Sequence, residues 1–247
     1  RRQRQMCIRD SNDSAYETAI EFKKNNINPI VLDSRQDSNS EIIKEAKSLG
    51  IDIKFSHVVV AAKGYKKVKS CDIAEISEDK QNLNQIKNIE CDCICVSGFW
   101  TPTIHLASQS GGKTKFKEEI DAFVPDKSKQ KEVTLGSANG VFTLEETLKT
   151  SFDKGFELSK AITNNNNSQQ IPKVSEKKHS KHDKFWCVPL PKGKKYKRFL
   201  DFQNDVAVSD IELALREGFR SIEHVKRYTT LGMATDQGKT SNLNGLQ

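Results

Sequence analysis

Long apolar runs are missing from this sequence, and hydrophobic residues make up only 35% of its 247 positions. A helix needs about 18 consecutive, mostly apolar residues to cross a bilayer, and no stretch here comes near that length. The mean hydropathy of −0.66 is low but still compatible with a globular chain. The composition therefore predicts one or two globular domains and no membrane partner.

A regular cysteine framework is also missing. The six cysteines include Cys7 near the N-terminus and leave five others, an odd number at irregular spacing. Disulfide-stapled secreted domains carry even numbers of cysteines at framework-like spacing. The pattern therefore predicts free thiols and a reducing, cytoplasmic location.

Three of the thiols alternate along one segment, at Cys91, Cys93 and Cys95. If residues 89–96 form one strand, these three side chains share a face. Such a face could hold a metal ion, or it could pack into a core. Structural zinc sites favour closely spaced cysteine pairs with a second pair of ligands, and no second pair is evident. Core packing is the preferred interpretation, and no metal site is predicted.

The excess of positive charge is mild and unevenly placed. The formal net charge is +7 at pH 7, and residues 1–10, with four Arg and one Asp, supply part of it. Much of the remainder lies in the Lys-rich stretch 173–198. Nucleic-acid-binding proteins concentrate basic residues on one face or stripe, and no such stripe interleaved with aromatic residues is present. The sequence predicts no nucleic-acid partner.

The first ten residues are better explained as an artefact than as a folded segment. Arg-Arg-Gln-Arg-Gln-Met-Cys-Ile-Arg-Asp is what a common transposase-type sequencing adapter encodes in one reading frame, and Ser11 fits the codon that would follow. Segments of that origin are set aside in fold reasoning. Residues 1–11 are predicted to be an adapter-derived or vector-like scar, and the alternative is a basic N-terminal arm.

Residues 12–131 carry the pattern of an α/β nucleotide-binding domain. The spacing of apolar residues predicts helices at 14–26 and 39–48 on either side of a strand at 28–33. Further strands are predicted at 51–55, 57–63, 66–76 and 89–96. This order suits a dinucleotide-binding domain of the disulfide-reductase type. The domain is expected to be partial, with its first strand lost to the scar.

Residues 132–162 are predicted to be the return segment of an FAD/NAD-type domain. A short strand at 132–135 leads through Gly136-Ser-Ala-Asn-Gly into an amphipathic helix at 141–162. In that position the loop would present backbone N–H groups and a helix N-terminus to dinucleotide phosphates. Gly136, Ser137 and Ala138 are therefore cofactor-binding candidates. The alternative is a plain strand-to-helix turn.

The remaining residues divide into a linker and a small module. Residues 163–184 are polar, charged and of low complexity, which predicts a disordered linker. His179 and His182 in this linker could bind a metal, but a solvated linker is the preferred interpretation. Residues 185–247 are predicted to form a mainly helical module with helices at 208–217 and 221–228.

The loop before the first helix lacks the glycines of a phosphate-binding turn. Dinucleotide folds usually carry Gly-x-Gly-x-x-Gly there, whereas this chain has Asn12-Asp-Ser-Ala-Tyr, in which Asp13 or Ser14 would cap the helix. Asp33 ends the next strand, where an acidic residue can bind a ribose 2′-hydroxyl. Its alternative role is to cap the Ser34–Arg35 turn. The missing phosphate loop favours the capping role, and Asp33 remains the weaker cofactor-binding candidate.

The module at the C-terminus resembles a helical iron–sulfur domain that has lost its ligands. In bacterioferritin-associated-ferredoxin-like domains, four cysteines hold a two-iron cluster as Cys-x-Cys and Cys-x4-Cys. The matching positions here are Asp201, Gln203, Asp236 and Ser241. Because such a cluster needs thiolate ligands, the resemblance implies a cluster-less scaffold, in which Gly218 closes one helix and Gly232 and Gly238 shape a loop.

Several long strings resemble the alpha subunit of heterotetrameric sarcosine oxidase. They are Lys226-Arg-Tyr-Thr-Thr-Leu-Gly-Met-Ala-Thr-Asp-Gln-Gly-Lys-Thr-Ser-Asn, Val96-Ser-Gly-Phe-Trp-Thr-Pro-Thr-Ile-His-Leu-Ala-Ser-Gln-Ser, Asn12-Asp-Ser-Ala-Tyr and Ser137-Ala-Asn-Gly-Val-Phe. The resemblance covers residues 12–160 and 184–247. It implies an internal fragment of a longer subunit, whose C-terminal folate-binding domain lies beyond Gln247.

The resemblance also implies a function. The four-subunit enzyme oxidatively demethylates sarcosine to glycine with O2, giving H2O2 and 5,10-methylenetetrahydrofolate. FAD lies in the beta subunit, FMN lies at the alpha–beta interface, and tetrahydrofolate binds in the missing C-terminal domain. The partners are the beta, gamma and delta subunits. This fragment would hold NAD as a structural ligand and would be inactive alone.

The family's NAD contacts fall on Ser137, Phe142 and Leu144 of this chain. Flavoproteins of this type often have an Asp where Ser137 stands, which argues for NAD rather than a conventionally held flavin. No catalytic residue is predicted, and His105, which lacks a nearby nucleophile or carboxylate pattern, is expected to be structural. Four residues could meet an FMN phosphate or the beta subunit, or could be solvated: Lys226, Arg227, Lys239 and Thr240. Two alternatives remain, a free-standing NAD(P)H- and FAD-dependent oxidoreductase and a non-catalytic structural subunit.

Overall fold

The computed structural model describes residues 5–10, 12–98, 100–163, 174, 184–191, 193 and 196–247. The chain forms two compact units, one made of residues 1–98 with 179–247 and the other of residues 99–178. The predicted boundary between residues 131 and 132 therefore lies inside the second unit.

A four-stranded parallel sheet organises the first unit. Its strands are β1 (Gln5–Asp10), β2 (Asn28–Asp33), β3 (Asp52–Phe55) and β7 (Cys93–Val96), in the order β3-β2-β1-β7. All neighbouring pairs are parallel. Helices α1 (Ser14–Lys24) and α2 (Glu41–Ser48) make the crossover connections. Parallel strands joined through helices define the dinucleotide-binding α/β fold, so the predicted fold class is confirmed.

The parallel sheet contains a first strand, β1, that was expected to be missing. Its residues pair with β2 on one side and with β7 on the other. The expectation that the domain lacks its first strand is therefore wrong, because residues 5–10 take that position. How residues 1–11 arose is a separate question, and the scar remains a prediction.

The core of this sheet lies between its strands and the two helices. It is built from small and β-branched side chains, which let the helices approach the sheet closely. Its buried members are Ala15, Tyr16, Ala19, Ile20, Val31, Ile42, Ile43, Ala46 and Ile51. The predicted helices and the strand at 28–33 are confirmed, with helix ends shifted by two residues.

An antiparallel meander follows β3. It consists of β4 (His57–Gly64), β5 (Val68–Ile76) and β6 (Leu83–Glu90). The prediction of one strand at 89–96 is wrong, since β6 ends at Glu90 and β7 begins at Cys93. Apolar residues in β6 recur every third position, and its pairing with β5 shifts register. The strict alternation that identifies a half-buried strand is therefore absent.

The split into β6 and β7 also separates the three alternating thiols. Cys91 lies between the strands and is buried with Leu32, Cys71 and Ile73. Cys95 lies in β7 and packs against the helix-covered core. The single-face arrangement is wrong, but core packing is confirmed for Cys91 and Cys95. Burial and the neighbouring Cys93 raise the pKa of the Cys95 thiol, which disfavours the reactive thiolate.

The second unit contains a hairpin and two helices. Helix α3 (His105–Gln109) precedes strands β8 (Lys113–Lys117) and β9 (Ala122–Lys127), and α4 (Leu144–Thr163) follows. The predicted strand at 132–135 is wrong, because these residues are irregular. A short 3₁₀ helix, Gly136–Asn139, precedes α4, which begins three residues later than predicted.

The C-terminal part belongs to the first unit. After an irregular stretch at 184–191, strands β10 (Phe199–Asp201) and β11 (Val206–Ala207) pair, and helices α5 (Val208–Arg216), α6 (Ile222–Thr229) and α7 (Asn242–Leu246) follow. The backbone N–H of Phe219 bonds to Ala214 O and that of Gly218 to Leu215 O, so Gly218 closes α5 as predicted. Most of the predicted linker, including His179 and His182, lies outside the described residues.

No helix in the part of the chain that the structure describes is both long enough and apolar enough to cross a membrane.

Candidate functional site

Four buried polar side chains cluster at the carboxyl ends of strands β1 and β2. Asp13 lies between β1 and α1, and Asp33 ends β2; they are 1% and 0% exposed. The Arg35 guanidinium lies between them, with Nη1 2.8 Å from Asp13 Oδ1 and Nη2 2.7 Å from Asp33 Oδ2. Tyr16, also buried, donates its hydroxyl to Asp33 Oδ2 at 2.6 Å.

Every acceptor position of Asp33 is in use. Oδ1 accepts Arg35 N at 2.9 Å and Arg35 Nε at 3.0 Å, and Oδ2 accepts Arg35 Nη2 and the Tyr16 hydroxyl. A carboxylate offers about four lone-pair positions, and these four donors fill them. The Arg35 N bond confirms that Asp33 caps the Ser34–Arg35 turn.

The two carboxylates keep Arg35 charged although it is buried. Burial alone would lower the pKa of Arg35, but hydrogen bonds and charge from Asp33 and Asp13 outweigh it and raise that pKa. Among the described side chains, the arrangement is an ion-pair cluster in which the Arg35 guanidinium binds the carboxylates of Asp13 and Asp33. Tyr16, Asp13 and Arg35 were not expected in it, because no local sequence pattern pairs residues 22 positions apart.

The loop before α1 is held by Asn12. Its Nδ2 donates to Gly98 O at 2.7 Å, and its Oδ1 accepts Ser14 N at 2.8 Å. Ser14 Oγ lies 2.6 Å from Ser97 Oγ. Neither Asp13 nor Ser14 caps α1 with its side chain. The predicted capping is therefore wrong: Asn12 fills that role, and the Asp13 carboxylate binds Arg35 instead.

The Gly136 turn lies in the other compact unit. Gly136 is buried at a φ of 64°, and a Cβ there would come within 3.0 Å of Thr147 Cγ2, which explains why glycine fits. Ser137, Phe142 and Leu144 are exposed, and the Phe142 ring lies 6.2 Å from the Trp100 ring. Because residues 140–143 separate the 3₁₀ helix from α4, the turn does not lead directly into the long helix as predicted.

A cavity of about 540 Å³ lies beside this turn. It includes Asn139, the last residue of the 3₁₀ helix, together with Lys115, Lys117 and Ser128. Lys115 pairs with Asp126 at 3.2 Å, but its side chain remains mostly exposed. The volume falls in the range of about 300–1,000 Å³ that is typical of small-molecule sites.

Asp201 is hydrogen-bonded to two of the other three positions that match the ferredoxin-like cysteines, Gln203 and Ser241. Asp201, buried at 4% exposure, accepts Gly232 N at 3.1 Å and the Ser241 hydroxyl at 3.4 Å through Oδ2. Its Oδ1 accepts Gln203 N at 2.9 Å and Asn204 N at 3.3 Å. A single carboxylate therefore joins the β10 turn to the loop after α6.

Gln203 and Asp236, two of the cysteine-matching positions, also accept hydrogen bonds. Gln203 Oε1 accepts the backbone and hydroxyl of Thr235 at 3.2 and 2.5 Å. Asp236 accepts Gly238 N, Thr240 N and the Thr240 hydroxyl, and the Thr240 bonds, with that of Gly238, lower the pKa of Asp236. No group of three or more potential metal ligands occurs among the described residues.

The loop glycines make room for one side chain. A Cβ on Gly232 would lie 2.0 Å from Asn242 Oδ1, and a Cβ on Gly238 would lie 2.3 Å from Asn242 Nδ2. The Asn242 amide therefore occupies space next to both glycines, and a side chain at either position would have to displace it.

The four residues that could meet an FMN phosphate or the beta subunit differ in their exposure and in their partners. Lys226 is half-buried and lies 3.9 Å from Glu223 Oε1, while Arg227 and Lys239 are exposed. Thr240 is engaged by Asp236. In the second unit, no hydrogen-bond partner for His105 Nδ1 occurs among the described residues.

Comparison with known proteins identifies relatives of the chain. Residues 195–247 match the model of the sarcosine oxidase A3 domain. The chain is 32% identical over 247 residues to the sarcosine oxidase alpha subunit of Rhizobium meliloti (strain 1021), covering 97% of this chain and 23% of that subunit. It is 30% identical over 245 residues to the alpha subunit of Corynebacterium sp. (strain P-1), covering 97% and 25%.

Solved structures show partial likenesses. The flavoprotein disulfide reductase RclA of Escherichia coli aligns at a TM-score of 0.44 and 15% identity, over 64% of this chain and 35% of that one. A bacillithiol disulfide reductase of Staphylococcus aureus aligns at 0.41 and 17%, over 62% and 51%. The chain spans about a quarter of the length of the curated relatives it matches. The predicted resemblance is confirmed: residues 195–247 match the sarcosine oxidase A3 domain, and nearly the whole chain is similar to part of the alpha subunit of sarcosine oxidase.

Proposed function

We propose that this chain is the NAD-holding and subunit-docking part of a sarcosine oxidase alpha subunit. The observation that carries the proposal is the similarity to such subunits, which extends over 97% of the chain. The complex would convert sarcosine and O2 to glycine and H2O2 and would transfer the one-carbon unit to tetrahydrofolate. FAD in beta and FMN at the alpha–beta interface would supply the redox chemistry in the cytoplasm. This chain would contribute neither the amine site nor the folate site.

The second unit is the better place for NAD. Ser137, Phe142 and Leu144 are exposed and could contact a ligand, while Gly136 and Ala138 would bring the backbone close to it. The wall of the neighbouring cavity holds two lysines, Lys115 and Lys117, and two carboxylates, Asp126 and Glu132. Lys117 would meet the phosphates of a dinucleotide, and the carboxylates would accept its hydroxyls. NAD would be held there as a structural ligand.

The C-terminal module is the better place for docking. Several of its large apolar side chains are exposed, among them Phe202, Tyr228, Met233 and Leu246. Exposed apolar surface bordered by cations such as Arg227 and Lys239 is typical of a protein interface. We assign this surface to the beta subunit and leave gamma and delta to other parts of the longer polypeptide.

The NAD content of the full-length protein tests the proposal. Ser137→Glu would place a carboxylate beside the dinucleotide phosphates, so the NAD released on denaturation should fall by about tenfold or more. Ser159→Glu, at an exposed position on α4, is the matched control and should leave the NAD content unchanged. Because both serines are exposed, neither change should disturb packing, and only Ser137→Glu should lower Tm, through the loss of bound NAD. A wild-type protein that releases no NAD would refute the assignment.

A further inference from the structure

We infer that the crevice at the ends of β1 and β2, where this fold usually holds a dinucleotide, is closed by the protein's own side chains. The chain would then bind one dinucleotide, in the second unit, rather than two. The count of one bound dinucleotide rests on the proposed function. The closure of the crevice rests on the contacts of five side chains, which we call the crevice cluster: Asn12, Asp13, Tyr16, Asp33 and Arg35.

The loop that should receive the pyrophosphate has no room and few donors for it. A phosphate-binding turn uses glycines and free backbone N–H groups at a helix N-terminus. Here Ser14 N is bound by Asn12 Oδ1, and Tyr16 N is bound by Asp13 O. The Asn12 and Asp13 side chains are themselves buried in the loop. The donors and the space that phosphate would need are both in use.

The position that should receive the ribose is also occupied. A ribose hydroxyl would have to donate to Asp33, but both oxygens of Asp33 already accept two donors from Tyr16 and Arg35. Displacing either donor would leave a buried polar group without its partner, which is unfavourable. Asp33 therefore acts as a structural acceptor.

The charge of the cluster opposes an anionic ligand as well. Arg35 could in principle meet a phosphate on the 2′-hydroxyl, but its guanidinium is 2.8 Å from Asp13 and 2.7 Å from Asp33. Both carboxylates lie within hydrogen-bond distance of the guanidinium, so a phosphate that approached Arg35 would also approach them. A phosphate there would be repelled, whether it came from NAD or from NADP.

The crevice cluster also holds the loop in place without a ligand. Asn12 joins the loop to Gly98, and Arg35 joins it to the end of β2. The backbone of residues 12–35 should therefore be well protected in the nucleotide-free protein.

Hydrogen-exchange mass spectrometry of the full-length, nucleotide-free protein tests the inference. We expect peptides within residues 12–35 to exchange slowly without ligand and to show no change on adding NAD or NADP. Peptides within residues 132–144 should gain protection from NAD. New protection of residues 12–35 by either nucleotide, or fast exchange there without ligand, would overturn the inference. Absence of an effect at 132–144 would count against the proposed function alone.

Substitutions at Tyr16 and Asp33 provide the second readout. Tyr16→Phe keeps the ring and removes one donor to Asp33, and Asp33→Asn keeps the shape and removes the charge. Both should lower Tm while leaving the NAD content per folded protein at the wild-type value. Asp52→Asn, at a half-exposed carboxylate on β3 that pairs with Lys54, is the matched control. Loss of NAD in Tyr16→Phe at unchanged Tm would contradict the closure.

Discussion

Arg35→Met should destabilise the first unit by about 3–5 kcal/mol, the typical loss when one partner of a buried ion pair is removed. The change removes the guanidinium that binds both Asp13 and Asp33, two carboxylates that are almost fully buried. Domains of this size are stable by only about 5–15 kcal/mol, so the variant should lose much of its folded population. Urea unfolding of the full-length protein, followed through exchange of residues 12–35, measures the effect.

Two further variants distinguish the loss of the buried ion pairs from a non-specific effect of replacing an arginine. Arg216→Met removes an exposed guanidinium at the end of α5 and should change stability by no more than about 0.5 kcal/mol. Asp13→Asn combined with Asp33→Asn in the Arg35→Met background removes the two carboxylate charges and should recover part of the loss. If Arg35→Met is as stable as the wild type, the cluster does not hold the loop.

Asp201→Ala should destabilise the C-terminal module by about 3 kcal/mol, because several donors then lose their acceptor and each such loss costs about 1–3 kcal/mol when buried. The Gly232 N–H and the Ser241 hydroxyl both reach Asp201 in a buried setting. Limited proteolysis of residues 229–247 alongside urea unfolding should show earlier cleavage there than in the rest of the chain.

The matched control is Glu217→Ala, an exposed carboxylate at the end of α5, which should leave the proteolysis pattern unchanged. Asp201→Asn keeps one oxygen acceptor and should fall between the wild type and Asp201→Ala. Equal resistance of Asp201→Ala, Asp201→Asn and the wild type would show that Asp201 does not hold the module together.

Local sequence signals predicted those elements whose periodicity is clear. The strand at 28–33 was predicted with its correct bounds, and α5 and α6 were predicted to within a residue, since apolar spacing and end signals agree there. Strand β6 was missed because its apolar residues recur every third position. The β8–β9 hairpin was missed because Lys-Thr-Lys-Phe-Lys carries a single apolar residue.

The candidate site was predictable only in part. The position of Asp33 followed from its place at the end of a strand, and its turn-capping role followed from the missing phosphate loop. The partners that fill Asp33 could not be predicted, because Tyr16 and Asp13 meet Arg35 only after β1, α1 and β2 have packed. Asp201 and Ser241 were located through the ferredoxin-like resemblance, but their direct hydrogen bond is a property of the fold.

The two candidate cofactor positions share one physical feature. Asp201 joins the β10 turn to the loop after α6 through hydrogen bonds to Gly232 N and the Ser241 hydroxyl. Asp33 is filled by donors from Arg35 and Tyr16, which we propose exclude a dinucleotide. In both cases internal hydrogen bonds satisfy buried polar groups that would otherwise need a ligand.

Native mass spectrometry of the full-length polypeptide, purified without its partner subunits, tests this account most directly, because it weighs whatever each folded molecule holds. The account predicts a single added mass corresponding to one dinucleotide, with none for iron or sulfide. A second bound dinucleotide would contradict the closed crevice, and a mass increment for an iron–sulfur cluster would contradict the cluster-less module.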